Sequence, residues 1–328
     1  MTRPVAIVGI AEILLGVCWT AASFAQPYPS KPIRIVVPYP PGFSVDLAGR
    51  LLGAIVAESM GQTAVVENRP GGATLIGMMD CAKAPPDGHV LCVTTADSLS
   101  FNPALFSDLP YNADTDFAPI MSLASTNGML VANINAPFTS FKDLVGYAKA
   151  NPGIVNWGTW GPASRPDMYL RWINHQLGLN IVAIPYKGAA QSYPSVSSGE
   201  THITYMGQGE AAPFLKAGKV KPIAILTDRR SRLMPGVPTL SEEGADPRLP
   251  GYIGLFTAGG APIGIVDRLN VEFAKAIRTP KAQAFYIQFT WDAVENTPAE
   301  FTQFLRKDRE NVANVFRSIG IKPTSIQK

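Results

Sequence analysis

Short runs of β-branched and other apolar residues alternate with longer amphipathic stretches along most of the chain. The runs predict strands and the stretches, whose apolar residues recur at helical spacing, predict helices. Predicted strands occupy 33–37, 64–67, 90–94, 129–132, 154–157, 181–184, 202–205, 222–226 and 251–257. Predicted helices occupy 45–60, 74–84, 140–150, 166–177, 188–198, 210–217, 263–278 and 298–319. This alternation favours an α/β fold with mostly parallel sheets.

The first predicted strand runs through a turn into a helix, and this junction is a candidate ligand site. Pro40 and Pro41 end the strand, because proline cannot donate to a ladder, and Gly42 permits a sharp turn. Ser44 stands where a helix N-cap belongs, with Asp46 in the first turn. Unpaired N–H groups at such a helix start form a natural anion site. An ordinary strand-to-helix loop with a capping serine fits the same residues.

A second junction has the same design. The predicted strand 154–157 leads into the glycine-containing turn 158–164, and Ser164 is expected to cap the helix that follows. Trp160 lies within this turn. Its ring is expected either to form an aromatic wall for a ligand or to pack on the surface of its own domain.

Length and composition exclude several classes of protein. A chain of 328 residues exceeds what one hydrophobic core usually holds, so two domains are expected. The net charge is only +3, and no Lys/Arg block predicts a nucleic-acid partner. The scattered His89, His175 and His202 predict no metal site. The residues around Ser44 do not form the Gly-x-Ser-x-Gly pattern of a hydrolase nucleophile.

The N-terminus predicts export. Arg3 precedes an apolar stretch over 5–19, and the small residues Ser23 and Ala25 fit cleavage before Gln26. Residues 1–25 are therefore predicted to be a signal peptide. This leader predicts export to the periplasm, and the mature protein is expected to be soluble there, because no segment is long and apolar enough to span a bilayer.

Two cysteines, Cys81 and Cys92, remain after the leader. In an oxidising compartment they are expected to form a disulfide, the alternative being two buried thiols. Cys18 would fit a lipoprotein, but Val17 precedes it where such proteins carry a small residue.

An ordered set of short motifs extends over most of the mature chain. The motifs lie at 28–34, 37–42, 66–71, 82–88, 102–106, 185–188, 216–219, 237–239 and 320–323. Together they resemble the Bug/TctC-like extracytoplasmic solute receptors, which are the binding proteins of tripartite tricarboxylate transport systems. The resemblance runs from about residue 28 to residue 323.

The resemblance implies a two-lobed periplasmic-binding-protein-like clamshell with two crossover linkers. Lobe 1 would comprise 26–126 and 250–328, and lobe 2 would comprise 127–249. A small carboxylate would be held between the lobes by Tyr39, Gly42, Phe43, Ser44, Asp46, Thr159, Trp160, Ser164 and Gly207. The chain would need no cofactor, catalyse nothing, act as a monomer and deliver its ligand to integral membrane transporter subunits. The alternatives are a sensory input protein for a membrane partner and a periplasmic hydrolase.

The sequence also departs from the family pattern. Phe43 stands where a second glycine is common, Trp160 where a small residue is common, and Met206-Gly207 where an Asp-Asn pair is frequent. Asp167 likewise replaces a common histidine. Fewer polar groups and more rings predict an aromatic or hydrophobic monocarboxylate or dicarboxylate. The alternative is that Phe43 blocks part of the site and the ligand is small.

Overall fold

The computed structural model describes residues 28–162, 164–227, 229–245, 247–249 and 251–326. The predicted signal peptide, residues 1–25, lies outside the described residues. Within the described ranges, none of the helices combines the length and the apolar character needed to cross a membrane.

The elements alternate along the chain much as the hydrophobic pattern predicts. The strands are β1 Ile33–Val37, β2 Ala64–Asn68, β3 Val90–Thr95, β4 Phe117–Ser125, β5 Gly128–Asn133, β6 Asn156–Thr159, β7 Val182–Pro185, β8 Ile203–Gly207, β9 Val220–Ile225, β10 Tyr252–Ala258 and β11 Asp292–Ala293. The helices are α1 Ser44–Met60, α2 Leu75–Ala82, α3 Asn102–Leu105, α4 Phe141–Ala150, α5 Arg165–Leu177, α6 Ala189–Ser198, α7 Gln208–Lys216, α8 Ile263–Ile277, α9 Pro280–Phe289 and α10 Pro298–Ser318. A π-helical turn, Asp97–Phe101, joins β3 to α3.

The strands form two mixed sheets. The first has the order β11-β4-β10-β3-β1-β2, and the second has the order β7-β6-β8-β5-β9. β1 is parallel to β2 and β3, and β6 is parallel to β7 and β8, whereas β10 is antiparallel to β3 and β4 and β5 is antiparallel to β8 and β9. The expectation of mostly parallel sheets is therefore wrong. The antiparallel pairs arise on the strands where the chain leaves one sheet and enters the other.

The chain crosses between the sheets at two adjacent places. β4 ends at Ser125, which pairs with Tyr252 at the start of β10. Next to this pair, the Thr126 N–H donates to the Gly251 carbonyl at 2.9 Å. The second sheet thus takes its strands from one continuous stretch between the two crossings. The lobe limits drawn from the sequence remain a prediction, and this membership of the strands supports them.

Close packing of α1 on β1 fixes the edge at which the first candidate loop lies. Ile35 and Val37 of β1 are buried against Leu52 and Val56 of α1. A Cβ on Gly53 would lie 2.5 Å from the Ile35 side chain, so glycine allows this close approach. The turn between the two elements is therefore held at the carboxyl end of β1.

The predicted disulfide is confirmed. Cys81 of α2 is bonded to Cys92 of β3, and both residues are fully buried. The bond ties a helix on one face of the first sheet to the strand beside β1.

Candidate functional site

A cavity of about 70 Å³ lies between the two sheets. From the side of the first sheet it is lined by Tyr39, Phe43, Ser44, Thr95, Asp97 and Trp291. From the side of the second sheet it is lined by Trp160, Arg165, Tyr193, Tyr205, Gly207 and Glu210. Of the residues predicted from the sequence, Tyr39, Phe43, Ser44, Trp160 and Gly207 are brought together here.

The turn before α1 is held by a buried carboxylate. Gly42 has φ +84°, and its N–H donates to Asp46 Oδ2 at 2.9 Å. Asn68 donates to Asp46 Oδ1 at 2.9 Å, and Arg50 lies 3.0 Å from the same oxygen. Burial opposes the charge of Asp46, yet these donors lower its pKa. Gly42 and Asp46 shape the turn, and neither lines the cavity.

Ser44 is not the N-cap of α1, contrary to the prediction. The helix begins at Ser44, and Phe43 holds the N-cap position with an extended backbone and no side-chain acceptor. The Phe43 carbonyl accepts a hydrogen bond from the Leu47 N–H at 2.9 Å, so the helical hydrogen bonds begin one residue before Ser44. The first N–H groups of α1 therefore have no side-chain cap, and Ser44 and Val45 line the cavity. This is the arrangement that favours an anion at a helix start.

Trp160 stands at the centre of an aromatic cluster that joins the two sides of the cavity. Its ring lies 6.5 Å from Phe43, 6.3 Å from Tyr193 and 5.3 Å from Tyr205, all edge to face. Phe43 also reaches the second side at Gly188, where a Cβ would lie 3.3 Å from its ring. The Trp160 Nε1–H is buried and has no acceptor in the described part of the chain.

Arg165 places a positive charge in the cavity, and sequence reasoning missed it as a site residue. It is the first residue of α5 and is only 6% exposed, with Nη1 3.5 Å from the Tyr205 hydroxyl. Burial opposes its charge, but the nearby Tyr205 and Asp97 outweigh burial and raise its pKa. A signal was present, because arginine in the first turn faces the positive end of the helix dipole. Such a placement favours an anionic partner.

Two predicted donors of the second loop lie elsewhere. β6 is shifted two residues beyond the predicted strand, so Thr159 is its last residue and not part of the turn. Its side chain is 1% exposed and does not line the cavity. Ser164 is the N-cap residue of α5, as expected, but its hydroxyl donates to the Gly161 carbonyl at 2.7 Å instead of capping the helix.

The polar groups on the first-sheet side lie at or just after the ends of β1 and β3. The Tyr39 and Thr95 hydroxyls are hydrogen-bonded at 2.8 Å, and burial raises the pKa of Tyr39 to about 12. Asp97 begins the π-helical turn, and burial raises its pKa to about 6 against the opposing effect of Arg165. Across the described ranges, His, Cys, Asp and Glu side chains form no group of three that could hold a metal ion.

The sequence profile of the tripartite tricarboxylate transporter family receptor, TctC, matches residues 49–321. The chain belongs to this receptor family. Members of the family are periplasmic binding proteins. The protein BugT of Bordetella pertussis is 28% identical to this receptor over 98% of the chain and 99% of its own length.

Solved structures share the two-sheet fold of this family member. A protein described as a periplasmic transporter is 30% identical, with a TM-score of 0.84 over 90% of this chain and 99% of its own. A protein of R. palustris solved with adipate is 25% identical, with a TM-score of 0.84 over 90% of this chain and all of its own. These matches confirm the α/β clamshell class and the resemblance drawn from the motifs.

Proposed function

We propose that this chain is an exported, monomeric receptor that holds a small carboxylate between its sheets and delivers it unchanged to integral membrane transporter subunits. The observation that carries the proposal is the buried Arg165 guanidinium, which shares one cavity with the uncapped start of α1. A guanidinium matches a carboxylate through parallel hydrogen bonds, and a helix start attracts anions. The relative solved with adipate supports a carboxylate as the class of ligand.

The contacts available suffice for a receptor of ordinary affinity. Each hydrogen bond to a charged carboxylate contributes about 1.5–3 kcal/mol, and a helix start adds roughly 0.3–1 kcal/mol. Burial of an apolar ligand group against Phe43 and Trp160 adds roughly 1.5–3 kcal/mol. Micromolar affinity requires about 8 kcal/mol after ordering costs. Because the donors come from both sides of the cavity, binding also favours the closed arrangement of the lobes.

The rings support a ligand with an apolar or aromatic part. Six of the side chains lining the cavity are aromatic, namely Tyr39, Phe43, Trp160, Tyr193, Tyr205 and Trp291. Phe43 and Trp160, which are two of the departures from the family pattern, touch each other across the cavity. They narrow the space that a branched, highly hydrated solute would need.

The test begins with protein that has been unfolded and refolded to remove any bound solute. A thermal-shift screen of mono-, di- and aromatic carboxylates identifies a hit, because binding raises Tm by mass action. Its Kd is then measured from tryptophan fluorescence, since Trp160 and Trp291 line the cavity. Arg165→Gln is expected to weaken binding by about tenfold or more, and Arg165→Lys by less.

The matched control is Arg317→Gln, which makes the same change on the exposed face of α10. It should leave the Kd unaltered. A folded Arg165→Gln variant that binds the carboxylate as tightly as the wild type would overturn the proposal.

A further inference from the structure

The charges that line the cavity do not suit a dianionic ligand. One guanidinium, Arg165, faces two carboxylates, Asp97 and Glu210, so the lining carries a formal charge of −1. A dicarboxylate would bring two further negative charges into a small space where water screens them poorly. A ligand with one carboxylate and one positive charge would bring no net charge.

The two carboxylates differ in their bonding. Glu210 is engaged by the protein, since it accepts a hydrogen bond from the Tyr193 hydroxyl at 2.7 Å and one from the Gly207 N–H at 3.2 Å. It therefore fixes the start of α7. The Asp97 backbone N–H donates to Thr95 Oγ1 at 3.4 Å, whereas its carboxylate accepts no hydrogen bond from the residues that the structure describes. A cavity-lining carboxylate without a donor is available to a ligand.

The aromatic side chains that line the cavity also favour a positively charged ligand group on the side of Asp97. Tyr39 and Phe43 are stacked 6.1 Å apart on the side of Asp97, and Trp160 meets Phe43 from the opposite side. Ring faces attract cations, most strongly when the site excludes water. A carboxylate that accepts no hydrogen bond, in a cavity also lined by rings, is a combination that binds a positively charged nitrogen.

Resting on the carboxylate function proposed above, we infer that the ligand also carries a positively charged nitrogen, which Asp97 and the rings of Tyr39, Phe43 and Trp160 bind. The ligand is thus a zwitterion. Its carboxylate lies at Arg165 and the start of α1, and its nitrogen lies toward the end of β3. In this arrangement Asp97 selects the charge of the ligand, and Glu210 holds the start of α7.

Three probes of one chain length separate charge from shape. They are 4-(trimethylammonio)butanoate, its uncharged-end isostere 5,5-dimethylhexanoate, and the dicarboxylate glutarate. Homologues one methylene shorter and longer are measured beside them on refolded wild-type protein. We expect the ammonium probe of the best length to bind about tenfold or more tightly than its isostere, and glutarate to bind more weakly than the ammonium probe.

Asp97→Asn should bring the ratio of the affinity for the ammonium probe to the affinity for its uncharged isostere close to one. Asp267→Asn, on the exposed face of α8, should leave this ratio unchanged. The ratio is taken within one protein, so a change in the stability of the variant does not alter it. Equal or tighter binding of the isostere or glutarate by the wild type, or a ratio that Asp97→Asn leaves intact, would overturn the inference.

The outcome also separates this inference from the proposed function. If the isosteres or dicarboxylates bind best and their binding depends on Arg165, the carboxylate function stands and the zwitterion is refuted. If no probe of any length binds, the zwitterion inference fails, and the carboxylate function is decided by the wider carboxylate screen and the Arg165→Gln variant.

Discussion

Asp97 lowers the stability of the folded chain at neutral pH, and replacing it should therefore stabilise the protein. Burial raises its pKa from 3.8 to about 6. Between about pH 4 and pH 6 the folded chain keeps this proton and the unfolded chain releases it, so stability falls as the pH rises through that window. The difference in proton affinity corresponds to about 3 kcal/mol. Asp97→Asn removes the ionisation and should raise the free energy of unfolding by about 1–3 kcal/mol at pH 7.5.

The assay is urea denaturation of ligand-free wild type and Asp97→Asn, followed by far-UV circular dichroism at several pH values. The gain should shrink toward zero near pH 4, where the wild-type carboxyl is protonated in the folded state. Asp267→Asn is again the control, because Asp267 is exposed. A variant less stable than the wild type at pH 7.5, or a gain that does not change with pH, would refute the reasoning.

Two further predictions concern residues that hold the fold around the site. Asp46→Asn should lower the free energy of unfolding by about 1–3 kcal/mol at pH 7, since the buried carboxylate accepts from Gly42 and Asn68 and pairs with Arg50. Urea denaturation measures this loss. Because the pKa of Asp46 is lowered in the folded chain, the difference in stability between variant and wild type should narrow only below about pH 4. The double variant Cys81→Ser and Cys92→Ser should lose about 3 kcal/mol, as expected for opening a loop with a sequence separation of 11 residues. Adding a thiol reductant to the wild type in denaturant should reproduce that loss, and an unchanged urea midpoint would show that the bond contributes nothing.

Local sequence was sufficient for most elements but not for β4, which lies between β11 and β10 in the first sheet. β4 was missed because Pro119 interrupts its apolar run, and proline argues against a central strand. In the structure Pro119 pairs with Phe256 at an irregularity in the register, where a missing N–H is tolerated. The constraint comes from β10, which lies more than a hundred residues away in sequence. α9 was missed too, although Thr279 caps it and Pro280 opens it.

The residues of the candidate site also fall into those that local sequence predicts and those that it does not. Phe43, Ser44 and Trp160 were predicted because each lies in a loop whose own sequence marks a strand end and a helix start. Asp97 and Tyr205 were not predicted, since nothing near them in sequence says that they face Arg165. Only the tertiary arrangement of the two sheets brings them together.

Thr159 shows how a small error in an element changes a functional interpretation. Its residue type suits a ligand donor, but the two-residue shift of β6 moves it from a turn into a buried strand. A hydrophobic run marks a strand well and its ends poorly, because the last residues are set by the partner strand. β6 is fixed by its pairing with β7 and β8.

The position of β10 has a consequence for how the protein is assembled as it is made. β10 lies between β3 and β4, yet it is synthesised after every strand of the second sheet. Until it emerges from the ribosome or the export channel, β3 and β4 have open edges facing a gap, whereas β5 to β9 are already complete. We therefore expect the second sheet to fold before the first sheet. The first sheet begins earlier in the chain, but it cannot be completed until the final quarter of the polypeptide, which contains β10, has been made.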